Sequence, residues 1–257
     1  MTKVIFNADD FGYSNAVNYG IIDSHKYGIL SSTTLMTNMP AVEHAVLLAK
    51  SVPTLGIGVH LTLTCGKPLK RKSSTLTEEN GDFKKQSFYL KEFKIDIDEL
   101  YEEWDEQIKK FLSLGLKPTH LDSHHHSHTF GNNLEVAMDL ARKYSLPLRN
   151  SKNMLCDHPD ILHTEDFIDD FDLPAFAKEY GWSDQKKNDF INEKYNDILK
   201  CDVVEVMCHP AYIDTPILTG SSFNIQRCSE VDLLTNSDFA KKIKESNDIK
   251  IINYNQI

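Results

Sequence analysis

Strand-like runs alternate with helix-like stretches from one end of the chain to the other. The strand-like runs are apolar, often β-branched, and bounded by turn residues. They read KVIFNAD (3–9), LSSTTLMTN (30–38), GIGVHLTL (56–63), THLDSH (119–124), LPLRN (146–150), VVEVMCH (203–209) and IKIINY (249–254). A parallel strand pair needs a long crossover, and a helix is the usual one. The alternation therefore predicts an α/β fold built on a parallel sheet.

The helix-like stretches carry apolar residues at helical spacing. The first is predicted from Ser14, a favoured N-cap residue type, to Gly28, which ends it. The clearest is IDELYEEWDEQIKKFLSLG (97–115), with an apolar stripe and a closing glycine. Further helices are predicted over 41–50, 133–145, 165–200 with a break near GWSDQ, and 238–246 with Ser237 as cap.

The length of 257 residues fits one domain over 1–257, because α/β barrels reach about 250 residues as a single unit. Six or seven strands favour a TIM-like (β/α) barrel, irregular or incomplete, and a doubly wound open sheet is the alternative. The polar stretch 70–87 is predicted to be an excursion from the barrel with an Asn-Gly turn. No Gly/Ser/Pro linker divides the chain.

The charge balance limits the partners of the chain. Its formal net charge is −10 and its pI is about 5.5. Nucleic acid and anionic membrane surfaces both require basic patches, so neither is expected as a partner. A neutral or cationic small substrate suits an acidic protein better.

The cysteines and the N-terminus predict a cytoplasmic protein. Five scattered cysteines without CxxC spacing indicate reduced thiols. The first residues lack a signal-peptide pattern, and no apolar run reaches the length of a membrane span. For Cys208, a buried strand-end thiol is favoured over a nucleophile.

Polar side chains follow several of the predicted strands. They are Asn7, Asp9 and Asp10, then His60, then Asp122, His124 and His126, then Arg149, and finally Glu205 and His209. In parallel α/β folds the carboxyl ends of the strands meet at one edge, where function gathers. Five strands thus deliver mostly titratable groups to a single predicted site.

The run HLDSHHHSH (120–128) holds five of the chain's 11 histidines. If the run is an extended strand, its even-numbered residues share one face and His125 points the other way. Imidazole and carboxylate together suit zinc and other divalent ions. Asp122 is placed to receive the second N–H of a ligating imidazole, and His126 to orient ligands or contact substrate. A solvated histidine-rich loop is the alternative.

Two further segments fit a metal-assisted reaction. The paired carboxylates of NADDFG repel each other unless a cation lies between them, although a helix cap is the other interpretation. One carboxylate can bind metal while the other takes a proton. His209, at the end of a strand before Pro210, is a candidate general acid or a structural histidine. His25, His44, His158 and His163 lack such a setting and are interpreted as surface or structural.

These segments resemble a known family. NADDFGYS, SSTTLMTNMPAVEHA, IGVHLTLTCGKPL, KPTHLDSHHHSH and EVMCHPAYID occur in order and resemble the YdjC-like carbohydrate deacetylases, especially the chitooligosaccharide deacetylases that act on diacetylchitobiose. The resemblance implies a TIM-like barrel, a divalent ion (magnesium or zinc) and hydrolytic removal of an N-acetyl group from an amino sugar. It also suggests a homodimer.

The resemblance also implies roles for residues. His60, His124 and Asp10 match the metal site, Asp9 the general base, and His209 the acid. From their positions alone, Arg149 and Tyr212 are expected to hold the sugar. The expected partner is a small oligosaccharide, with no nucleic acid and no membrane.

Two other functions remain open from the sequence. A metal-dependent phosphoesterase or endonuclease on a barrel needs two or three metals and more ligands. A non-catalytic metal-storage or sugar-sensing protein would have a closed site with four protein ligands, whereas a catalytic site keeps one position open.

Overall fold

The computed structural model describes residues 1–70, 75–169 and 183–257. Its sheet is parallel throughout, as the alternation of elements predicts. The strands in these ranges are β1 (Thr2–Phe11), β2 (Ser32–Leu35), β3 (Gly56–Leu61), β4 (Leu121–Ser123), β5 (Asp166–Ile168), β6 (Val203–Cys208) and β7 (Ile249–Ile251).

Helices connect the strands and cover the outside of the sheet. Those in the described ranges are α1 (Asn15–Tyr27), α2 (Val42–Ala49), α3 (Gln86–Tyr89), α4 (Ile97–Ser113), α5 (Asn133–Tyr144), α6 (Asp184–Ile198), α7 (Thr215–Gly220), α8 (Ile225–Thr235) and α9 (Asp238–Glu245). Within these ranges, every helix is too short or too polar to cross a lipid bilayer.

The strand order is β4-β3-β2-β1-β6-β5, with β7 paired to the start of β1. Between β5 and β4 the sheet is replaced by irregular chain that still pairs with its neighbours. The backbone N–H of Arg149 donates to Leu121 and that of Leu148 to Leu162, at 2.9 and 3.0 Å. This arrangement confirms the prediction of an irregular, TIM-like (β/α) barrel.

The core lies between the sheet and the helices. Strand β1 crosses its centre and is almost wholly buried: its apolar residues 4–6 lie in the core, and its polar residues Asn7, Asp9 and Asp10 are buried near its carboxyl end. In the apolar stripe of α4, Leu100, Trp104, Ile108 and Phe111 are fully buried, whereas Leu112 is exposed. Its N-cap is Asp96, whose side chain accepts hydrogen bonds from the backbone of residues 98 and 99.

Several local predictions are confirmed. The side chain of Ser14 accepts a hydrogen bond from Val17 and that of Ser237 from Ala240, so both cap their helices. In the excursion, an antiparallel bridge joins Thr77 to Phe83 across a turn in which Gly81 has a φ of 81°. Residues 71–74 of the excursion lie outside the described ranges.

Other local predictions are wrong. Residues 166–168, expected to be helical, form β5, and a three-residue strand is too short to show the alternation of a strand. LPLRN makes one isolated bridge, at Leu148, instead of a strand. Of the described part of the predicted 165–200 helix, Asp184–Ile198 forms α6, and the expected break near GWSDQ falls partly on residues 181–182, outside the described ranges. Helices α3, α7 and α8 were not predicted.

Helix α1 packs directly on the loop that follows β6. A Cβ atom added at Gly20 would lie 2.5 Å from Cα of Ala211 and 2.9 Å from its nitrogen. Real Cβ atoms do not approach backbone this closely, so the helix would have to move. Gly20 therefore permits the contact between α1 and the loop that carries His209.

We expect Gly20→Ala to destabilise the protein even though alanine is the better helix former. Overpacking against backbone should lower the free energy of unfolding by about 1–3 kcal/mol, measured by urea denaturation. Lys26→Ala, at an exposed position of the same helix, is the matched control and should change it by less than about 0.5 kcal/mol. An unchanged or increased stability in Gly20→Ala would show that the contact is not tight.

Candidate functional site

The carboxyl ends of four strands meet at one place. Asp9 and Asp10 lie near the end of β1, His60 in β3 and Asp122 in β4, and His60 and Asp122 are paired in register. His209 follows β6 directly. The parallel sheet therefore brings together groups that are up to 200 residues apart in sequence, as the strand-end pattern predicts.

Asp10, His60 and His124 form a group that we call the metal triad. Each residue offers one ligand atom, and the three atoms lie within 4.8 Å of one another. Oδ1 of Asp10 is 2.9 Å from Nδ1 of His124 and 3.5 Å from Nε2 of His60. A carboxylate and two imidazoles at this spacing are a donor set for a divalent ion.

The orientation of His60 supports this interpretation. Its Nδ1 lies 2.7 Å from Oδ1 of Asp122, and the hydroxyl of Thr34 donates to the other Asp122 oxygen at 2.9 Å. Nε2 is buried and has no hydrogen-bond partner among the described residues. The Asp122 carboxylate thus fixes the ring so that its unpartnered nitrogen faces Asp9 and Asp10. Histidines that bind metal are commonly held in this way, with the second ring nitrogen bonded to a carboxylate.

Charges around the metal triad shift its pKa values strongly. Burial alone would lower the pKa of His60, but the carboxylates of Asp122 and Asp9 outweigh it and raise the pKa to about 10. In His124 burial is likewise outweighed by Asp10, and the pKa rises to about 9. Despite burial, His124 and Arg227 hold the pKa of Asp10 well below its usual range. The pocket is thus strongly attractive to positive charge.

Asp9 has a different set of partners from Asp10. Arg149 donates to both of its oxygens, at 2.6 and 2.8 Å, and the amide of Asn7 donates at 3.1 Å. Burial would raise the pKa of Asp9, but the Arg149 guanidinium and His60 lower it. Asp9 therefore remains an ionised carboxylate, fixed in orientation beside the metal triad.

The expectation that Arg149 holds the sugar is wrong. Its side chain is fully buried beneath the site and points into the barrel. Besides Asp9, it bonds to Glu205 at 2.7 and 2.9 Å and lies 2.8 Å from Asp122. A guanidinium surrounded by three carboxylates anchors the floor of the site, and each of its three nitrogens donates to a carboxylate.

His209 lines the pocket on the side of β6. Its backbone N–H donates to Glu230, and its ring meets the edge of Phe223 with centroids 5.5 Å apart. Burial and the nearby Arg227 lower the pKa of His209 to about 4. The imidazole is therefore neutral at neutral pH.

The histidine run is not an extended strand. β4 ends at Ser123, and residues 124–129 form a 3-10 turn in which His125 and His126 have φ values of 57° and 52°. This left-handed backbone turns His125 towards the pocket with His124 and His126, so the expectation that His125 points away is wrong. His126 lies 3.2 Å from the hydroxyl of Ser151.

Tyr212 does not join the site. Its hydroxyl donates to Asp23 of α1 at 2.8 Å, and its ring lines a separate surface depression between α1 and α8. The proximity of Tyr212 to His209 in sequence was therefore misleading. Cys208, in contrast, is buried with its thiol donating to the carbonyl of Asn7, in keeping with a structural role.

The site opens into a cavity of about 380 Å³. Its wall includes several residues that no sequence pattern marks as functional, among them Tyr13, Gln86, Phe223, Arg227 and Glu230. Arg227 donates to Oδ2 of Asp10 at 2.7 Å. Arg227 and Glu230 lie on α8, and Phe223 lies in the turn before it. No catalytic motif marks this segment, and helix α8 itself was not recognised in the sequence.

The comparisons with known proteins cover nearly the whole chain. The family model described as "YdjC-like protein" matches residues 3–245. A carbohydrate deacetylase of Clostridium beijerinckii is 40% identical over 256 residues, which cover 99% of this chain and 100% of that protein. One of Halalkalibacterium halodurans is 41% identical, with 97% and 100% covered.

A crystal structure from Enterococcus faecalis V583, provisionally assigned to cellobiose-phosphate cleavage, superposes with a TM-score of 0.87. Its sequence is 37% identical, and the match covers 99% of this chain and 98% of that one. The family match spans both the strand-end carboxylates and His209. The chain therefore belongs to the YdjC-like protein family.

Proposed function

We propose that this protein is a metal-dependent carbohydrate deacetylase that hydrolyses the N-acetyl group of an amino-sugar oligosaccharide of the chitobiose type and releases acetate. The name shared by the relatives supports sugar deacetylation. The observation that carries the proposal is the metal triad at a cavity, with an ionised Asp9 on one side and His209 on another.

Asp10, His60 and His124 would hold the ion. A divalent ion in such a site supplies Lewis acidity, which polarises a carbonyl and lowers the pKa of water. Two imidazoles among three ligands favour zinc or another transition ion over magnesium, which prefers oxygen ligands. Three protein ligands also differ from the four of a closed structural site, which supports catalysis over metal storage.

Asp9 serves as the general base in this proposal. Its carboxylate is ionised and held by Arg149, so it is oriented to accept a proton from water that attacks the acetamide carbonyl. The same ion pair lowers its pKa, so Asp9 retains the proton only briefly. The Arg149 contact thus favours orientation at the expense of basicity.

His209 serves as the acid that protonates the departing amine. Since its pKa is lowered to about 4, the ring is neutral at rest and must gain a proton during the reaction before donating one to nitrogen. His209 is therefore suited to relay a proton rather than to store one. Hydrolysis then balances, because water supplies the hydroxyl of acetate and the proton of the amine.

The geometry favours one ion over the two or three of a phosphoesterase. A second group of potential ligands, Asp9, His60 and Asp122, shares His60 with the metal triad. Its two carboxylates are already paired with Arg149. Because the second group reuses His60 and its carboxylates are held by a guanidinium, we propose one ion per chain. The oligosaccharide partner, a homodimer and a cytoplasmic location remain part of the proposal.

The direct test is a screen of N-acetylated oligosaccharides, including diacetylchitobiose. We expect mass spectrometry to show loss of one acetyl group and an acetate assay to show its release, both abolished by a chelator and restored by zinc. Phosphate release from phosphoesters without acetate release from any sugar would refute the proposed function.

We expect His124→Ala to lose the bound ion and the activity together. Metal content should fall from about one ion per chain to a small fraction of that, and deacetylation by at least about 100-fold. His25→Ala is the matched control, since that ring contacts the carbonyl of Leu30 and the hydroxyl of Thr54 elsewhere in the fold. Full activity in His124→Ala would remove this residue from the metal site.

Asp9→Asn and His209→Gln should separate proton transfer from metal binding. We expect each to lower kcat by about 100- to 10,000-fold, the range for loss of a general acid or base. Metal content, measured on the same samples, should remain near that of the parent protein. Loss of the ion from Asp9→Asn would instead make Asp9 a ligand.

A further inference from the structure

The two oxygens of the Asp10 carboxylate have different partners. Oδ1 faces the two histidines of the metal triad, 2.9 Å from His124 and 3.5 Å from His60. Oδ2 accepts a hydrogen bond of 2.7 Å from Nη2 of Arg227. One oxygen is therefore available to an ion, and the other is held by a guanidinium.

Arg227 is held by contacts that do not involve the metal triad. Its side chain is 5% exposed, and Nε donates to the carbonyl of Phe223 at 2.8 Å. Its own carbonyl accepts from the backbone of Ala211 at 3.1 Å, which ties the start of α8 to the loop after β6. The bond from Nε therefore fixes the guanidinium by a partner outside the metal triad.

The backbone of Asp10 is equally constrained. Its φ of 70° lies in the left-handed region, which is uncommon for residues other than glycine. The carbonyl of Asp10 accepts from the backbone of Tyr13 at 3.0 Å, which closes the turn. This turn directs the side chain into the site, and Arg227 then determines which oxygen faces the histidines.

We propose that Arg227 is a positioning residue that restricts Asp10 to one ligand oxygen and weakens its hold on the ion; this inference rests on the metal site of the proposed function. A carboxylate behind a ligand, such as Asp122 behind His60, makes that ligand more electron-rich. A guanidinium behind a ligand has the opposite effect, because it competes for the same carboxylate charge.

Weaker binding has a catalytic use. An ion that receives less charge from its ligands remains a stronger Lewis acid, and one fewer ligand oxygen leaves room for water and substrate. If Arg227 were only a structural connection between α8 and the β6 loop, its loss would loosen the metal triad and weaken ion binding. The two roles therefore predict opposite changes in affinity.

The test compares Arg227→Met, which removes the charge, with Arg227→Lys, which keeps it. Zinc is titrated into metal-free protein with a competing chelator, and kcat and KM are measured on the loaded enzyme. We expect Arg227→Met to bind zinc roughly tenfold more tightly and to lose at least about tenfold in kcat, with KM nearly unchanged. Arg227→Lys should stay within about threefold of the parent protein in zinc affinity.

Arg142→Met is the matched control, because that guanidinium pairs with Asp139 and Asp160 on the surface of the protein. It should leave both affinity and kcat unchanged. Zinc affinity equal to or weaker than the parent value in Arg227→Met would overturn the proposal. If the methionine variant fails to fold, Arg227→Gln replaces it. Tighter zinc binding in Arg227→Gln than in Arg227→Lys then supports the proposal, and equal or weaker binding overturns it.

The zinc titration also separates this inference from the proposed function. Tighter binding in Arg227→Met, together with no deacetylation of any sugar by the parent protein, would support the role of Arg227 and reject the reaction. Acetate release by the parent protein, together with unchanged or weaker zinc binding in Arg227→Met, would support the reaction and reject the role of Arg227.

Discussion

Two adjacent aspartates can remain ionised in the interior of this protein because each lies against a different arginine and against a histidine of the metal triad. Arg149 pairs with Asp9 through two hydrogen bonds, and Arg227 pairs with Asp10 through one. Without these partners, two neighbouring buried carboxylates would repel each other and take up protons. When Asp122 and Glu205 are included, four carboxylates face two guanidinium groups, and the raised pKa values of His60 and His124 show that these two imidazoles take up the balancing positive charge.

Both ion pairs join residues that are far apart in sequence. For this reason the sequence alone could predict only part of the site. The strand-end carboxylates and His60 were predictable because a parallel sheet aligns its carboxyl ends, whatever the details of its loops. Asp122 was expected to accept an N–H from a ligating imidazole that the sequence did not identify, and in the structure this carboxylate lies against His60. The positions of the arginines were not predictable, because a long side chain at a strand end can point into the barrel or out of it. Arg149 points inward, and Arg227 lies on a helix that shows no functional motif.

The histidine run shows a second limit of sequence reasoning. The alternation rule assumes an extended backbone, but the chain enters a turn at His124, and His125 and His126 have left-handed φ values. Such values are uncommon for residues other than glycine, so the local sequence does not predict a left-handed backbone here. Short-range side-chain contacts support the turn, since His128 bonds to Ser123 and the amide of Asn133, the first residue of α5, donates to the carbonyl of Ser127.

The floor of the site connects catalysis to the far end of the chain. Glu205 bonds to Arg149 on one side and accepts the hydroxyl of Tyr254 on the other, while the Tyr254 ring stacks on His120 at 3.7 Å between centroids. Strand β7, just before Tyr254, pairs with the start of β1, whose end carries Asp9 and Asp10. A buried polar network of this kind is stable only when all its members are satisfied. The C-terminal residues therefore complete the charge arrangement that holds Asp9 in place, and stability and function depend here on the same groups.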